Sequence, residues 1–397
     1  MVRLLLVGGG HASLPLLASA GALAGAAVTL LSDRPELWYS GMTPEWLGGV
    51  YTRADVTVPL AALCEREGVR FVQGTAVGLD RAARTVETAA GDALAYDLVV
   101  FDVGAVNPGD AGGAIHTKPL HRVEALGQFL DEAAGLGEPR RLVIVGGGAA
   151  GVEVALNVTA RPDLDALDLV LLEPSDRLAA ALPARLGEGA ADTLRQRGAD
   201  VRLGTRVASS DPRGVHLEGG ERLAADAVLW ATGSVGPGLF ADAGLAVSDA
   251  GFARVDAGLR AEGDARVFVA GDSASVAGHE GLARIGVHAV KQGPVLKENV
   301  GRVVEALGAA RDPAEVALRP FRPYPVAPLI LSTGDREAWG VVGAVAVRGR
   351  PLLRLKHAVD RRWIDRYRPP ESDAGRWDAR AACEGPVSTS PAARADR

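Results

Sequence analysis

Cysteine is scarce in this chain of 397 residues, which contains only Cys64 and Cys383. The two lie far apart in sequence, so the chain lacks the spacing of a disulfide framework, a Cys-x-x-Cys redox pair or a zinc site. A single bond between them stays open, but a reduced, cytoplasmic protein is the expected default. An excess of positive charge is also missing, because the formal net charge is -6. This balance argues against nucleic acid as the main partner.

Charged side chains are absent from residues 4–32. Such a stretch could be a membrane span, or a signal peptide that follows Arg3 and ends near Ala18-Ser19-Ala20. Its run of three glycines and its proline would make a poor spanning helix. With 48% hydrophobic residues and modest charge, the chain instead has the composition of a soluble globular protein. Its length allows two or three domains.

A glycine-rich loop directly follows an apolar run at the start of the chain. Residues 2–7 read VRLLLV, and residues 8–13 read GGGHAS. This order predicts a buried strand, a tight turn and a helix whose free N–H groups bind phosphates. Gly8 allows the turn, Gly10 lets the main chain approach a pyrophosphate, and Ser13 replaces the third glycine of G-x-G-x-x-G. Alone, this motif is a weak signal.

The second strand of this unit is predicted at residues 28–31. An acidic group near its end would hold an adenosine ribose, and the candidates there are Ser32 and Asp33. An aromatic loop follows at residues 38–44, with the sequence WYSGMTP. It is either a surface turn under a small aromatic cluster or the lining of a flat ring system.

The opening pattern returns later in the chain. Residues 141–145 form a second apolar run, and the next residues, GGGAAGVE, contain all three motif glycines: Gly146, Gly148 and Gly151. A further strand pattern at 169–172 ends in Glu173, whose carboxylate would accept both ribose hydroxyls and repel a 2′-phosphate. This context is a strong signal for NADH, although Arg177 nearby keeps NADPH open.

A second echo supports an internal repeat. Residues 226–233, which end in Gly233, resemble residues 97–104, and each segment follows its own glycine loop. Two copies of one nucleotide-binding unit suggest one permanently bound and one exchanging dinucleotide, usually FAD and NAD(P)H. After the second unit, residues 266–272 predict a short strand ending in Gly271-Asp272. Asp272 could bond a ribitol hydroxyl, or the pair could be a plain turn.

These segments together resemble a known family. The order GGGHAS, GGGAAGVE, WATG and VFVAGD is similar to the two-dinucleotide-binding flavoproteins of the pyridine nucleotide-disulfide oxidoreductase superfamily. Within it, the chain resembles type II NADH dehydrogenases, and more closely the FAD module associated with selenide water dikinase. The shared segments are YSGMTP (39–44), HTKPL (116–120), HAVKQGP (288–294), LILSTGDREA (329–338) and LKHAVDRRWIDRYR (355–368).

The resemblance implies an α/β fold with two Rossmann-like, three-layer ββα domains. The implied FAD domain is discontinuous, at 1–110 and 245–320, with an NADH-binding domain inserted at 111–244. A C-terminal strand and helix region would follow at 321–370. The glycine- and proline-rich residues 105–119 are predicted to be a linker, and the polar residues 371–397 a disordered tail.

Site residues follow from the motifs and the resemblance. The expected FAD-binding residues are Gly8, Gly10, Ser13, Asp33, Gly271 and Asp272. The expected NADH-binding residues are Gly146, Gly148, Gly151, Glu173 and Gly233. Three residues are expected to tune the chemistry: Glu153, matching a glutamate beside the nicotinamide–flavin stack, Lys118, facing negative charge on reduced flavin, and Gln292, matching a quinone-pocket glutamine. No metal site is expected.

The implied reaction passes hydride from NADH through the flavin to an acceptor, most often a quinone. The other glutamines of the quinone motif align with Val287 and Lys291, which departs from the family pattern. Two alternatives remain: a redox-sensing, partner-binding flavoprotein with slow turnover, or a reductase of a selenium or sulfur species. Chemistry that needs a cysteine pair beside the flavin is disfavoured, because Cys64 has no partner nearby in sequence.

The C-terminal helix bears on where the acceptor lies. One apolar face is predicted from the spacing of five residues: Leu352, Leu355, Val359, Trp363 and Tyr367. Basic residues, Lys356 among them, are expected on the rest of the helix. Residues 352–368 could therefore lie on the inner face of the cell membrane, or pack on the FAD domain with the charged side in water. A homodimer is also left open.

Overall fold

A computed structural model describes residues 1–136 and 138–368 of the chain. The predicted disordered tail at 371–397 and Cys383 therefore lie outside the described residues. The described part contains two five-stranded parallel sheets, several smaller sheets and one long C-terminal helix.

The first half of the chain contains the strands β1 (Val2–Val7), β2 (Ala26–Ser32), β3 (Glu36–Trp38), β4 (Thr57–Pro59), β5 (Arg70–Gln73), β6 (Ala76–Asp80), β7 (Thr85–Thr88), β8 (Ala93–Ala95), β9 (Leu98–Phe101), β10 (Asp110–Ala111), β11 (Ile115–His116), β12 (Arg140–Val145), β13 (Leu167–Leu172) and β14 (Asp200–Arg202). The second half adds β15 (Val207–Asp211), β16 (Gly214–Leu217), β17 (Arg222–Ala224), β18 (Ala227–Trp230), β19 (Ala253–Val255), β20 (Val267–Val269), β21 (Ala274–Val276), β22 (Leu329–Ser332), β23 (Ala338–Val342) and β24 (Val345–Gly349). The helices are α1 (Leu14–Leu17), α2 (Thr43–Leu47), α3 (Arg53–Val56), α4 (Leu60–Glu67), α5 (Glu124–Leu136), α6 (Ala149–Val158), α7 (Ala184–Gln196), α8 (Leu239–Asp242), α9 (Gly286–Gly308) and α10 (Arg350–Ile364).

The first parallel sheet has the order β20-β9-β1-β2-β5. Its central strand β1 occupies the predicted residues and is buried except at Arg3. Strands covered on both sides read as continuous apolar runs, which explains the uncharged start of the chain. Residues 4–32 thus supply two neighbouring strands of a sheet. Among the described residues, no helix has both the length and the apolar character needed to cross a membrane.

The second parallel sheet has the order β11-β18-β12-β13-β14 and, like the first, has five strands. Each unit also carries a small sheet: the antiparallel β6-β7-β8 in the first, and β10-β15-β16-β17 in the second, where β10 joins in parallel and the other strands pair antiparallel. A parallel sheet between helices and a second, smaller sheet is the predicted three-layer arrangement. The predicted α/β class with Rossmann-like units is confirmed, whereas the exact domain boundaries stay predictions.

The prediction of a plain linker at residues 105–119 is wrong. This segment holds β10 and β11, which pair with β15 and β18, and Val106 forms a bridge with Val235. The Asn107 amide donates to the carbonyl oxygens of Thr232 and Gly233 at 3.0 and 3.1 Å. Buried backbone donors and acceptors need partners. Here the segment that leads from the first unit to the second finds them as a strand in each of the two sheets of the second unit.

The predicted apolar face of α10 is also wrong. Leu355 and Val359 are exposed, at 51% and 53%, while Trp363 and Tyr367 are buried. The buried side of the helix instead includes three polar residues: Lys356, His357 and Asp360. They can be buried because their charges are paired with one another and with a neighbouring helix. Apolar spacing identified a helix here but assigned its inner face incorrectly.

Candidate active site

The carboxyl ends of the two parallel sheets meet at an ion pair. Lys118 lies just after β11 of the second sheet, and Asp272 lies just after β20 of the first. The Lys118 ammonium donates to the Asp272 carboxylate at 2.7 Å, and both side chains are about a quarter exposed. Ligands of open parallel sheets bind at the carboxyl ends of the strands. Two dinucleotides bound in this way would therefore extend toward each other.

The first glycine loop has the predicted turn. Gly8 has a φ of +84°, a conformation that favours glycine. Gly10 has a further requirement for glycine, since a Cβ there would lie 2.4 Å from the carboxyl carbon of Asp102. The Ser13 N–H donates to Asp102 at 2.8 Å. Asp102, which sequence reasoning missed, is thus part of this loop.

The second glycine loop is open where a phosphate is expected. Gly146 has a φ of +109°, and a Cβ at Gly151 would lie 2.0 Å from the Gly146 carbonyl oxygen. Both glycines are therefore required by the turn itself. A Cβ at Gly148 or Gly233 would have no atom within 4 Å. The exposed backbone at the start of α6 fits a pyrophosphate, as the motif predicts.

Glu173 directly follows β13, at the carboxyl end of the second sheet. It is 8% exposed, and it accepts the N–H groups of Gly147 and Ser175 at 2.7 and 2.9 Å. The Arg177 guanidinium donates instead to the carbonyl oxygens of Leu182 and Ala180. Because these bonds hold Arg177 to the backbone, the geometry favours NADH over a 2′-phosphate.

The corresponding position in the first unit is less defined. Ser32 is buried at the end of β2, whereas the Asp33 side chain is 48% exposed and lies 3.9 Å from His121. Asp33 is therefore the candidate that a ribose could reach. Its role remains a prediction.

Glu153 lies in the middle of α6 and contacts the C-terminal region. Its carboxylate accepts the backbone N–H of Ser332 at 2.8 Å and the Ser332 hydroxyl at 3.1 Å. Burial raises the pKa of Glu153 to about 7, against the lowering effect of Lys356. Glu153 therefore changes charge near neutral pH, which suits a group that tunes a reaction.

Gln292 supports the turn that carries Asp272. Its side-chain oxygen accepts the Gly271 N–H at 2.7 Å, from a position on α9 that is 2% exposed. Val287 and Lys291 stand where the quinone motif has its other glutamines. Val287 is apolar, and the Lys291 ammonium lies 3.6 Å from the centre of the Tyr324 ring. The geometry gives Gln292 a positioning role in this turn.

A buried charge cluster joins α2 to α10, and we call it the Lys356 cluster. It consists of Glu45, Lys356, His357 and Asp360. Lys356 donates to Glu45 and Asp360, both at 2.8 Å, and His357 contacts Glu45 at 2.6 Å. Although burial acts in the opposite direction, the two carboxylates hold the pKa of Lys356 well above its ordinary value. The cluster fixes the C-terminal helix to the loop that follows Tyr39.

Aromatic rings extend this contact to the first glycine loop. Trp363 of α10 stacks on Tyr39, with ring centres 4.3 Å apart, and on His11, at 5.2 Å. The Tyr39 hydroxyl donates to Asp360 at 2.8 Å. The aromatic loop at 38–44 is therefore packed under the C-terminal helix. Burial lowers the pKa of His11 to about 4, so this ring is neutral at physiological pH.

Two features of this site had no clear local signal in the sequence. Asp102 follows β9 at the position where the second unit has Ala231. Only a comparison of the two repeats could have identified it as a candidate site residue. The Lys356 cluster combines residues from distant segments, and the four-residue spacing of Lys356 and Asp360 was its only visible trace.

A family model described as "Pyridine nucleotide-disulphide oxidoreductase" matches residues 2–293. The chain belongs to this family. The match spans both glycine loops and the Gly271-Asp272 turn. It confirms the predicted superfamily.

Individual relatives agree with this assignment. An "NADH dehydrogenase-like protein" of Mycobacterium tuberculosis is 28% identical over 233 residues, which cover 55% of this chain and 58% of that protein. The chain thus matches under three fifths of that relative. A "Type II NADH:quinone oxidoreductase" of Staphylococcus aureus is 24% identical over 91% of this chain and 95% of its own length. The solved structure of NDH2 from Plasmodium falciparum with NADH has a TM-score of 0.76 at 12% identity, over 92% of this chain and 97% of that chain.

The Lys356 cluster generates a stability prediction. Replacing Lys356 by Met leaves two buried carboxylates without their cation, so the free energy of unfolding should fall by about 3–5 kcal/mol. Urea denaturation of the FAD-loaded protein measures this. Arg354→Met, on the exposed side of the same helix, is the matched control and should stay within about 0.5 kcal/mol of the parent. Equal effects of the two variants would contradict the structural role of the cluster.

Proposed function

We propose that this protein is an NADH:acceptor oxidoreductase whose acceptor is a quinone presented at a membrane surface. The observation that carries the proposal is the Lys118–Asp272 contact at 2.7 Å, which joins the carboxyl ends of the two nucleotide-binding sheets. FAD, when bound, supplies the hydride acceptance and the onward electron transfer. The protein supplies the orientation and the electrostatic environment.

Each unit contributes its own contacts in this proposal. The loop at 8–13 and the turn at Gly271-Asp272 bind FAD, with Gln292 holding that turn. The loop at 146–151 and Glu173 bind NADH. Lys118 provides positive charge at the junction, where reduction of the bound flavin adds negative charge. Glu153 lies on α6, the helix that follows the loop at 146–151, and its carboxylate accepts the Ser332 N–H.

Membrane contact is supported by the exposed side of α10. Leu355 and Val359 are more than half exposed, beside Ala358. Four exposed arginines share this exposed side of the segment: Arg350, Arg354, Arg362 and Arg366. Apolar residues framed by cations favour the surface of an anionic bilayer. We propose that this side of α10 meets the inner face of the cell membrane.

Thiol chemistry receives little support from the described residues. Cys64 is the one cysteine among them, and it is buried. Burial raises the pKa of its thiol to about 11, so it stays protonated at physiological pH. A cysteine-dependent reduction of sulfur species is therefore not our choice.

The hydride step is tested by mixing the FAD-loaded protein anaerobically with NADH or NADPH and following flavin absorbance near 450 nm. NADH should bleach the flavin at least about tenfold faster, because Glu173 repels a 2′-phosphate. A quinone analogue added next should restore the absorbance. If neither nucleotide bleaches the flavin, the proposed hydride transfer is wrong. If the flavin is bleached but the quinone analogue does not restore its absorbance, the acceptor is not a quinone.

The role of Glu173 has its own variant. Glu173→Gln should raise KM for NADH by about tenfold, because a charged acceptor of the ribose hydroxyls is lost. The KM for NADPH should stay the same or fall. Steady-state kinetics with both nucleotides measure the two values, and an equal change in both would show that Glu173 does not select between them.

Glu153 predicts a pH dependence of flavin reduction. Because burial raises its pKa to about 7, the carboxyl is neutral below that pH and ionised above it. The ionised form stabilises the positive charge that develops as NADH gives up hydride, so the rate should rise through about pH 7, by roughly tenfold. Glu153→Gln should remove this rise. Glu188→Gln, an exposed control on α7, should keep it; stopped-flow absorbance decides between these outcomes.

Membrane contact is tested by sedimentation with vesicles. The protein should bind vesicles containing phosphatidylglycerol more strongly than neutral phosphatidylcholine vesicles, because each basic residue near an anionic surface contributes about 1 kcal/mol. A Leu355→Glu, Val359→Glu variant should lower binding at least about tenfold. Val77→Glu, which alters a valine 53% exposed on β6, is the matched control. Unchanged binding of the double variant would exclude this side of α10 as the contact.

A further inference from the structure

An acidic side chain is buried against the first glycine loop. Asp102 is 4% exposed and its carboxylate accepts the Ser13 N–H at 2.8 Å, with the Ala12 N–H directed at it as well. A Cβ at Gly10 would lie 2.4 Å from its carboxyl carbon, and one at Gly271 would lie 2.3 Å from its Oδ1. The carboxyl group is therefore enclosed between the phosphate loop and the turn that carries Asp272.

The second unit lacks this arrangement. Phe101 pairs with Val7 in the first sheet as Trp230 pairs with Val145 in the second, so Asp102 corresponds to Ala231. Likewise, Ser13 corresponds to Gly151, whose Cβ position lies 3.5 Å from the Ala231 side chain. The NADH unit thus has two small residues at the place where the FAD unit has a buried acid. The acid is a specific property of the FAD unit.

Among the described residues, Asp102 forms no ion pair, and its carboxylate is bonded to backbone N–H groups instead. Among the strongest influences on the pKa of Asp102, the one charged group is Asp272, whose like charge raises it. Lys118 is engaged with Asp272, and His11 on the glycine loop is neutral at physiological pH. From α9, His288 and the uncharged Gln292 face the same turn. The Arg284 guanidinium lines it as well, but it stacks on the Phe252 ring and donates to the carbonyl oxygens of Leu282 and Ala274. Burial lowers the pKa of His288, so it adds no fixed positive charge.

Two negative phosphates are expected beside this carboxyl group when FAD binds. An ionised carboxylate without a cation, already buried, is destabilised further by anions placed next to it. The same carboxyl group in its protonated form has no charge to repel them and can still accept the Ser13 N–H.

We propose that Asp102 is a residue of the FAD site that binds the cofactor as a neutral carboxylic acid, so that FAD binding takes up one proton. This inference rests on the proposed placement of the FAD pyrophosphate at residues 8–13. In this binding reaction, the protein with an ionised Asp102 takes up one FAD and one proton, and the complex contains Asp102 as a neutral carboxylic acid. FAD affinity therefore falls as pH rises.

Supporting this, burial raises the pKa of Asp102 to about 6, so the group is ionised above that pH in the absence of FAD. The sign of the effect follows directly. Below about pH 6 the proton is already present, and binding needs none. Above it, each further pH unit should weaken FAD binding about tenfold, as expected for uptake of one proton.

The test measures release of FAD from the diluted, FAD-loaded protein by the rise of flavin fluorescence between about pH 5.5 and 8.5. The parent Kd should be flat at low pH and then rise about tenfold per pH unit. Asp102→Asn, an isosteric neutral side chain, should bind FAD with little dependence on pH and more tightly than the parent at pH 8. His11→Gln should retain the slope even if affinity changes, whereas Asp272→Asn should keep the slope but begin it at a lower pH, because it removes a like charge that raises the pKa of Asp102.

Calorimetry gives an independent readout. FAD titrations at pH 8 in two buffers of different ionisation enthalpy should show uptake of about one proton by the parent and none by Asp102→Asn. A parent Kd that does not change with pH, or an unchanged slope in Asp102→Asn, would overturn the inference and leave the proposed function standing. Failure of the parent to bind FAD at any pH would overturn both.

Discussion

A parallel strand delivers the loop that follows it to one edge of its sheet, and this protein depends on that constraint twice. Both glycine loops, Glu173 and Asp272 follow parallel strands. The two edges face each other through Lys118 and Asp272. Without this arrangement, two separate nucleotide-binding units would exist in one chain but would not share a reaction. The chemistry thus follows from how the sheets are placed, more than from any acid, base or nucleophile.

The parts of the site that depend on local pattern could be predicted from the sequence. The strand before each glycine loop was found to within one residue, because an apolar run next to glycines is informative over a short distance. Asp102 could not be found in this way, because its partner Ser13 lies 89 positions earlier. The pairing of residues 105–119 was missed for the same reason, since glycine and proline content describes a turn without naming its distant partner strand.

The C-terminal helix shows a further limit of sequence patterns. Periodic spacing identifies the faces of a helix, but it cannot tell which face is buried when charged residues can be neutralised by another element. Here Glu45, which lies 311 positions before Lys356, decides the matter. A buried pair of this kind is tolerated only if both charges are satisfied together. The buried face of α10 therefore carries paired charges, while its exposed face includes the aliphatic side chains of Leu355 and Val359.

The two faces of α10 therefore tolerate substitution to different degrees. Leu355 and Val359 are more than half exposed, so substitutions there should leave the packing of the fold in place. Lys356, His357 and Asp360 can change only in concert with Glu45 and Tyr39. The outer surface of α10 can therefore change what it binds while its inner face keeps its contacts with Glu45 and Tyr39.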